Sequence, residues 1–243
     1  MDIEVVWAHW GRLMDGAGVT VQLTVVSLAI GLLVAVVLAA MRVSRHVLLR
    51  WPAYAYIFYF RGTPLLVQLF LVYYGSGQFR TELEGVVIWR YLNAAGDQVQ
   101  ITLWHYFRDA WFCAVLTLML NTSAYTAEIL RGALQSVARG QIEAARAAGM
   151  SRILLARRVL LPQACRIALP MYGNEVVFLL QATSLVSTIT ILDLTGTARR
   201  IIASTFAVYE IYIAVAVFYL LLSYGLIVLF RGLERRWSHH RVG

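Results

Sequence analysis

The sequence predicts an all-α membrane protein that crosses the bilayer with five helices. Hydrophobic residues make up 60% of its 243 residues, and charged residues only 14%. Ordinary globular proteins are about 45–50% apolar and about 25% charged, so a water-soluble fold of this length would lack polar surface. Disordered chains are poor in apolar side chains, which excludes that class as well. The composition therefore predicts an integral membrane protein.

Five apolar stretches are long enough to cross a hydrocarbon core, which takes about 20 helical residues. They lie near 19–41, 54–74, 110–130, 172–192 and 206–230. The first is too long for a secretory signal peptide, and no small-residue cleavage site follows it, so we expect the mature protein to keep it. We predict a single transmembrane domain over 1–243, with a long cytoplasmic loop at 131–171.

The arginines predict the orientation, because basic loops stay on the cytoplasmic side of a membrane. Fourteen of the 21 lie after the first span, in 131–171 or in the C-terminal tail, six lie on the opposite side, and Arg61 lies within the second span. The pair Arg199–Arg200 in the last outer loop is an exception. We therefore expect the N-terminus outside and the C-terminus in the cytoplasm.

Several kinds of chemistry are excluded by composition. All 21 basic residues are arginine, which removes both a Schiff-base lysine and the lysine of a Walker A loop, so any ATP must be hydrolysed by another chain. Cys113, Cys165 and the five histidines lack metal-ligand spacing, and no nucleophile–base pair suggests catalysis. We expect no metal and no catalytic residue. In a soluble protein the net charge of +8 would suggest a nucleic-acid partner. Here the distribution of the arginines is explained by the orientation in the membrane, so we expect no nucleic-acid partner.

The outer segment 75–109 contains several aromatic residues. They are Trp89, Tyr91, Trp104, Tyr106 and Phe107. Such residues often lie at the level of the lipid headgroups. The segment is either an interfacial loop or short amphipathic helix, or a docking surface for a partner outside the membrane.

The inner loop contains a predicted short helix. Residues 141–148 are strong helix formers, and Gly149 suits a left-handed C-terminal stop. Ser151 is placed to cap a second short helix, which we expect Pro162 to end. The alanines of the first helix allow close approach of another surface, so the helix either docks on a partner or lies on the inner leaflet.

The inner loop also carries a recognisable motif. Its positions are Glu143-Ala144-Ala145, Gly149, Val159 and Leu161-Pro162. Their spacing resembles the EAA loop of ABC importer permeases, E-A-A-x3-G-x9-I-x-L-P, with valine in place of the usual isoleucine. The resemblance implies the type I ABC importer (MetI-like) fold, in which 141–149 is a coupling helix on an ATP-binding subunit. The implied coupling positions are Gln141, Glu143, Ala144, Ala145, Arg146 and Gly149.

Further segments resemble the polar amino acid branch of these permeases. They are F-R-G-T-P-L-L-V-Q at 60–68, N-T-S-A-Y-T-A-E-I at 121–129, N-E-V at 174–176 and Q-A-T-S-L at 181–185. The segments 41–45 and 229–237 look most like the M-type permeases of histidine/lysine/arginine/ornithine importers, whose near relatives carry opines. The resemblance implies a multi-pass protein of the bacterial inner membrane. Its implied partners are a cytoplasmic ABC ATPase dimer that holds ATP and Mg²⁺, a second, paralogous permease, and an outside substrate-binding protein; this chain itself holds no cofactor.

Polar side chains within the spans are candidates for a translocation pathway, because charges inside a bilayer are costly. Several fall at helical spacing on one face of the third or fourth span, where carboxylates could receive a guanidinium or ammonium group. The candidates are Asn121, Tyr125, Glu128, Glu175, Gln181, Ser184 and Thr188. Alternatively, these residues pack the helices together, and Glu128 or Glu175 pairs with Arg61 or Arg131.

Four residues are expected to be structural. Arg61, Gly62 and Pro64 lie together within the second span, where glycine and proline favour a kink, and Pro162 closes the motif of the inner loop.

The predicted function is that of the permease subunit of a binding-protein-dependent ABC importer for basic amino acids. Alternating access would be driven by ATP hydrolysis on the partner. The same architecture could instead import an opine or a neutral polar amino acid. A self-sufficient ion-coupled carrier would usually show internal repeats and more spans, and an intramembrane hydrolase would need a buried catalytic pair that is not found.

Overall fold

The computed structural model describes residues 3–92 and 98–238. In chain order its α-helices are α1 (Glu4–Ala8), α2 (Trp10–Val43), α3 (Val47–Gly62), α4 (Leu65–Tyr73), α5 (Arg80–Gly85), α6 (Leu103–Phe107), α7 (Ala110–Gln135), α8 (Arg139–Ala147), α9 (Arg152–Leu155), α10 (Leu161–Ala182), α11 (Leu194–Thr205) and α12 (Val208–Ser238). Short 3₁₀ segments at Gly75–Phe79 and Thr183–Ile189 and a π-helical turn at Ala156–Leu160 extend neighbouring helices. An antiparallel hairpin of β1 (Val87–Leu92) and β2 (Gln98–Thr102) lies between α5 and α6.

The helices α2, α7 and α12 are each long and apolar enough to cross a membrane, and two bent helix pairs would bring the number of spans to five. The central helix is α7. In its most apolar stretch 56% of the residues are buried, whereas in the most apolar stretch of α12 only 17% are buried. The largely exposed α12 therefore has its apolar surface available to lipid or to another subunit.

Glycine allows α2 and α7 to approach closely. A Cβ atom on Gly31 of α2 would lie 2.7 Å from Cγ2 of Thr122 and 3.2 Å from the backbone oxygen of Met119 on α7. Around this contact Leu23 of α2 and Leu118 of α7 are buried in one apolar cluster. Close packing between small residues is the usual source of stability between membrane helices.

The second predicted span, 54–74, is not continuous. The chain bends by 105° between α3 and the segment that begins at Leu65. Pro64 has no backbone N–H, and it holds Thr63 in an extended conformation, with φ of −118° and ψ of 147°. The expected kink is therefore a complete break of the helix.

The fourth span also differs from the sequence prediction of 172–192. Its helix begins well before Tyr172, and the bent pair that contains it turns by 47° between Ile189 and Leu194. At the turn Thr190 adopts a left-handed conformation, with φ of 74°. The span is thus assembled from two helical pieces.

Pro162 does not end the helix that Ser151 caps, so this expectation is wrong. The helical path continues from α9 through the π-helical turn Ala156–Leu160 into α10, where Pro162 occupies the first turn. A proline ring collides with the carbonyl group four residues earlier, and the wider π turn is one of the local adjustments that accommodate it. The inner loop therefore leads directly into the fourth span.

The outer segment contains the short helices α5 and α6, in line with one of the expected alternatives, and between them a hairpin that was not predicted. Trp89 pairs with Ile101 and Tyr91 with Val99, which places apolar side chains on one face of the two strands. These residues alternate with polar ones, which is the two-residue period of a β-strand. Residues 93–97 of this segment lie outside the described residues.

Candidate functional site

The predicted coupling helix is present as α8, Arg139–Ala147. It ends at Gly149, whose φ of +75° is left-handed. The N–H of Gly149 donates to the oxygen of Arg146 at 2.9 Å, and the N–H of Met150 donates to the oxygen of Ala145 at 3.1 Å. These two bonds form a Schellman motif, which satisfies carbonyls at the end of the helix.

One side of α8 rests on the protein. Ala145 is 6% exposed, and Ile142 packs on a buried cluster that contains Ala133, Val137 and Ala164. The remaining predicted coupling positions are exposed. They are Gln141, Glu143, Ala144, Arg146 and Gly149. The helix thus presents a continuous outward face with small side chains and two opposite charges, whereas Ala145 belongs to its inner face.

The cap of the following helix is also as predicted. The N–H of Leu154 donates to the Ser151 hydroxyl at 3.3 Å, which satisfies one of the free amides at the start of α9.

A side-chain network holds the break in the second span. Gln68 is 1% exposed, and its Nε2 donates to the oxygens of Phe60 and Thr63 at 2.9 and 3.1 Å. Asn121 of α7 donates through Nδ2 to the Gln68 Oε1 at 3.0 Å and to the Phe60 oxygen at 3.2 Å. Carbonyls freed by the break before Pro64 are therefore satisfied by amide side chains, which is necessary inside a membrane.

The role of Gln68 could not be predicted from periodicity. The sequence did contain one indication of this role, a glutamine four residues after a proline. A residue at that spacing lies one helical turn beyond the break. Arg61 and Gly62, the predicted structural residues, lie directly before the break.

Glu128 on α7 lies in a cluster of arginines from three helices. Its carboxylate is 2.7 Å from the Arg131 Nη2, 3.3 Å from the Arg42 Nε and 4.0 Å from the Arg61 Nη1. The Arg131 guanidinium also donates to Gln135 at 2.6 Å, near the start of the inner loop. The alternative that Glu128 pairs internally with Arg61 or Arg131 is confirmed.

A cavity of about 520 Å³ lies between α7 and α10. Its polar lining residues are Asn121, Tyr125, Asn174 and Glu175. The Glu175 carboxylate accepts a hydrogen bond from the Thr122 hydroxyl at 2.8 Å. The apolar lining includes Met171 and Phe178. The volume is within the range of small-molecule sites, about 300–1,000 Å³, and the polar lining offers a carboxylate, two amides and a phenol to a cationic, hydrogen-bonding ligand.

Four of the pathway candidates lie away from this cavity lining. Glu128 lies in the arginine cluster, and Gln181, Ser184 and Thr188 lie toward the end of the fourth span. The Ser184 hydroxyl donates to the Gln181 oxygen at 2.7 Å, and the Thr188 hydroxyl donates to the Leu185 oxygen at 2.6 Å. These two hydroxyls are therefore engaged with their own helical backbone.

Sequence reasoning did not identify Asp193 as important. It is fully buried, and it caps α11 by accepting hydrogen bonds from the N–H groups of Thr195 at 3.2 Å and Gly196 at 2.9 Å. Gly196 is required because a Cβ there would collide with the backbone oxygen of Ile191. The pattern Asp-x-Thr-Gly before a helix was the available signal.

Within 3–92 and 98–238 we find no group of three histidine, cysteine or acidic side chains that could hold a metal ion. The two cysteines are separate free thiols, Cys113 buried and Cys165 exposed.

Comparisons with known proteins agree with this architecture. Residues 20–239 match the family described as binding-protein-dependent transport system inner membrane component. The chain is 46% identical to the nopaline transport system permease protein of Agrobacterium fabrum, over 92% of this chain and 87% of that protein. It is 43% identical to the histidine/lysine/arginine/ornithine transport system permease protein of Salmonella typhimurium, over 98% of both chains.

A solved structure is also similar. It is described as an amino acid ABC transporter with histidines, and it has a TM-score of 0.82 and 34% identity, with 97% of this chain and 99% of that chain covered. The predicted type I ABC importer fold and the resemblance seen in the sequence are thereby confirmed. The chain belongs to the family of inner membrane components of binding-protein-dependent transport systems, as a transporter permease subunit.

Proposed function

We propose that this chain is the permease subunit of an ABC importer for basic amino acids, and that substrate passes along the cavity between α7 and α10. The observation that carries the proposal is that the Glu175 carboxylate lines a cavity of about 520 Å³ together with the amides of Asn121 and Asn174 and the phenol of Tyr125. A carboxylate in a low-dielectric site favours a guanidinium or ammonium group through charge-assisted hydrogen bonds. The 43% identity to a histidine/lysine/arginine/ornithine permease supports the same substrate class.

An opine is the second candidate cargo. The 46% identity to a nopaline transport system permease favours it directly. The lining of the cavity does not discriminate between the two, because an amino acid and an opine both present charged and hydrogen-bonding groups. Discrimination therefore requires a functional measurement.

The exposed face of α8 is proposed to dock on a cytoplasmic ATPase subunit. Glu143 and Arg146 would make polar contacts, and Ala144 would allow the ATPase surface to come close to the helix backbone. ATP and Mg²⁺ would be held by two ATPase subunits, whose approach moves the coupling helices. The ion pair from Glu128 to Arg42 would transmit that movement, because it joins α7 to α2 at the end of α7 that leads into α8.

The orientation follows from this arrangement and from the arginines. We propose that α8, the C-terminus and the arginine cluster lie in or near the cytoplasm of a bacterial cell, with the N-terminus on the outer side of the inner membrane. A substrate-binding protein would dock on the outer face. A second, paralogous permease would close the open side of the cavity.

The substrate is tested by ATPase stimulation in liposomes that contain the permease pair, the ATPase and the binding protein. Arginine, ornithine, lysine, histidine, glutamine and nopaline are compared at equal concentrations. We expect stimulation by the basic amino acids. Stimulation by nopaline alone would assign the opine, and stimulation by glutamine alone would contradict a cationic cargo.

A further inference from the structure

A basic pocket lies where α2 ends and α3 begins, apart from both the α7–α10 cavity and the coupling helix. Its volume is about 280 Å³, and it is lined by Arg42, Arg50, Trp51 and Tyr54. A neighbouring cavity of about 270 Å³ shares Arg42 and Tyr54 and extends toward Glu128. The two cavities together form a groove on the side of the protein. The groove lies at the end of the membrane spans where most of the arginines are found.

The groove has an excess of positive charge. Among the described residues Glu128 faces three guanidinium groups, from Arg42, Arg61 and Arg131, within 4.0 Å. Glu175 also interacts electrostatically with Arg61, so two carboxylates face three guanidinium groups and one positive charge is left without compensation. Arg50 adds another charge, since it is exposed and makes no ion pair with the described part of the chain. Such a surface attracts an anion.

A row of aromatic rings on α3 begins next to these arginines. Trp51, Tyr54 and Phe58 follow one another at three- and four-residue spacing, which places them on one face of the helix. The ring centroids are 6.0 Å apart from Trp51 to Tyr54 and 6.1 Å apart from Tyr54 to Phe58. The three residues are 61%, 44% and 68% exposed. Exposed aromatic residues of this kind favour the boundary between headgroups and acyl chains.

We propose that this groove binds an anionic phospholipid of the inner leaflet. Arg50 and Arg42 hold the lipid phosphate, and the aromatic row lies along an acyl chain. Guanidinium groups match phosphate oxygens in a bidentate manner, and basic pockets between transmembrane helices on the cytoplasmic side are suited to anionic headgroups. A free anion would use the charges but leave the aromatic row uncovered, so the two features together favour a lipid.

Native mass spectrometry of the assembled transporter tests the proposal. The complex is purified in micelles that contain equal amounts of phosphatidylglycerol and phosphatidylcholine. We expect the wild type to retain phosphatidylglycerol preferentially, and Arg50→Gln to reduce that retention about fivefold. Arg50→Lys should keep most of it because the charge is preserved. The matched control is Arg45→Gln, which removes an exposed charge from the connection just before α3 without changing the lining of the pocket.

Several results would overturn the proposal. Equal losses in Arg45→Gln and Arg50→Gln would show general surface attraction rather than a site. Displacement of the lipid by millimolar inorganic phosphate would assign the pocket to a free anion. A photoreactive p-benzoylphenylalanine at Trp51 should cross-link to phosphatidylglycerol, whereas a cross-link to another subunit would make this face a protein interface.

Discussion

Glu128 shows how a charged side chain is retained within a transmembrane helix. Burial of a carboxylate is costly, and the cost is offset only where opposite charges and hydrogen bonds are close. Arg131 supplies both through contacts of 2.7 and 2.9 Å, and Arg42 adds a contact of 3.3 Å from another helix. The residue therefore joins helices, and its spacing on the same face as Asn121 and Tyr125 does not by itself make it part of the pathway.

Replacement of this carboxylate should weaken the fold. We expect Glu128→Gln to cost about 2 kcal/mol, because it leaves the partly buried guanidinium groups without their counter-charge. The melting temperature of the detergent-solubilised complex should fall by about 4–8 °C. The control is Glu82→Gln, on the exposed face of the outer segment, which should leave the melting temperature unchanged. An unchanged melting temperature in Glu128→Gln would show that the cluster does not stabilise the helices.

Glu175 should behave differently. Glu175→Gln keeps an oxygen for the Thr122 hydroxyl but removes the negative charge from the α7–α10 cavity. We expect ATP-driven arginine uptake to fall about tenfold, since a hydrogen bond to a charged group contributes about 1.5–3 kcal/mol. Uptake by Glu82→Gln serves as the reference. Wild-type uptake in Glu175→Gln would remove this carboxylate from the substrate pathway.

At the scale of single elements, one glycine determines where α8 ends, and another determines how closely α2 and α7 approach each other. The C-terminal stop of α8 depends on Gly149, because its φ of +75° is unfavourable for a residue with a Cβ. No atom lies within 4 Å of a Cβ built there, so a substitution has a conformational cost and no steric one. Gly31, in contrast, has a favourable helical conformation but no room for a side chain.

Gly149→Ala should therefore loosen the end of α8. A left-handed alanine costs about 1 kcal/mol, which corresponds to about fivefold faster hydrogen exchange of the α8 amides. Gly140→Ala is the matched control within the same helix, where open space and a helical backbone predict slower exchange. Equal exchange in the two variants would contradict the role assigned to the stop.

Gly31→Ala should separate α2 from α7. The added methyl group would meet the Met119 backbone oxygen at 3.2 Å, and backbone cannot rotate away, so we expect a loss of about 1–3 kcal/mol. The control is Gly18→Ala on the same helix, where no atom lies within 4 Å. Thermal unfolding in detergent measures both variants, and an undisturbed Gly31→Ala would mean that the two helices are not packed as closely as described.

At the scale of the whole molecule, hydropathy and one motif predict most of the architecture. The apolar runs predict where α2, α7 and α12 lie, because a membrane helix must bring its backbone hydrogen bonds and its apolar side chains into the same segment. The helix formers at 141–148 and the following Gly149 predict the short helix α8 and its glycine stop. These features are local in sequence, and local patterns are sufficient to predict them.

Other features depend on contacts between distant segments. The 105° break before Pro64 is stabilised by Gln68 and by Asn121 from another helix, and no periodicity in either segment reveals that pairing. The α7–α10 cavity brings Asn121 and Glu175 together across more than fifty residues of sequence. The same reasoning accounts for Glu128, whose three arginine partners include two from other helices.

Uptake of labelled arginine into proteoliposomes measures whether transport through this chain is driven by a partner ATPase. The vesicles contain the permease pair, the ATPase and the binding protein, with and without ATP, and the permease is wild type or Glu143→Arg. We expect ATP-dependent accumulation by the wild type. We expect a loss of at least tenfold in Glu143→Arg, with the assembled protein still inserted. Uptake that needs no ATP, or wild-type uptake by Glu143→Arg, would contradict the proposed coupling through α8.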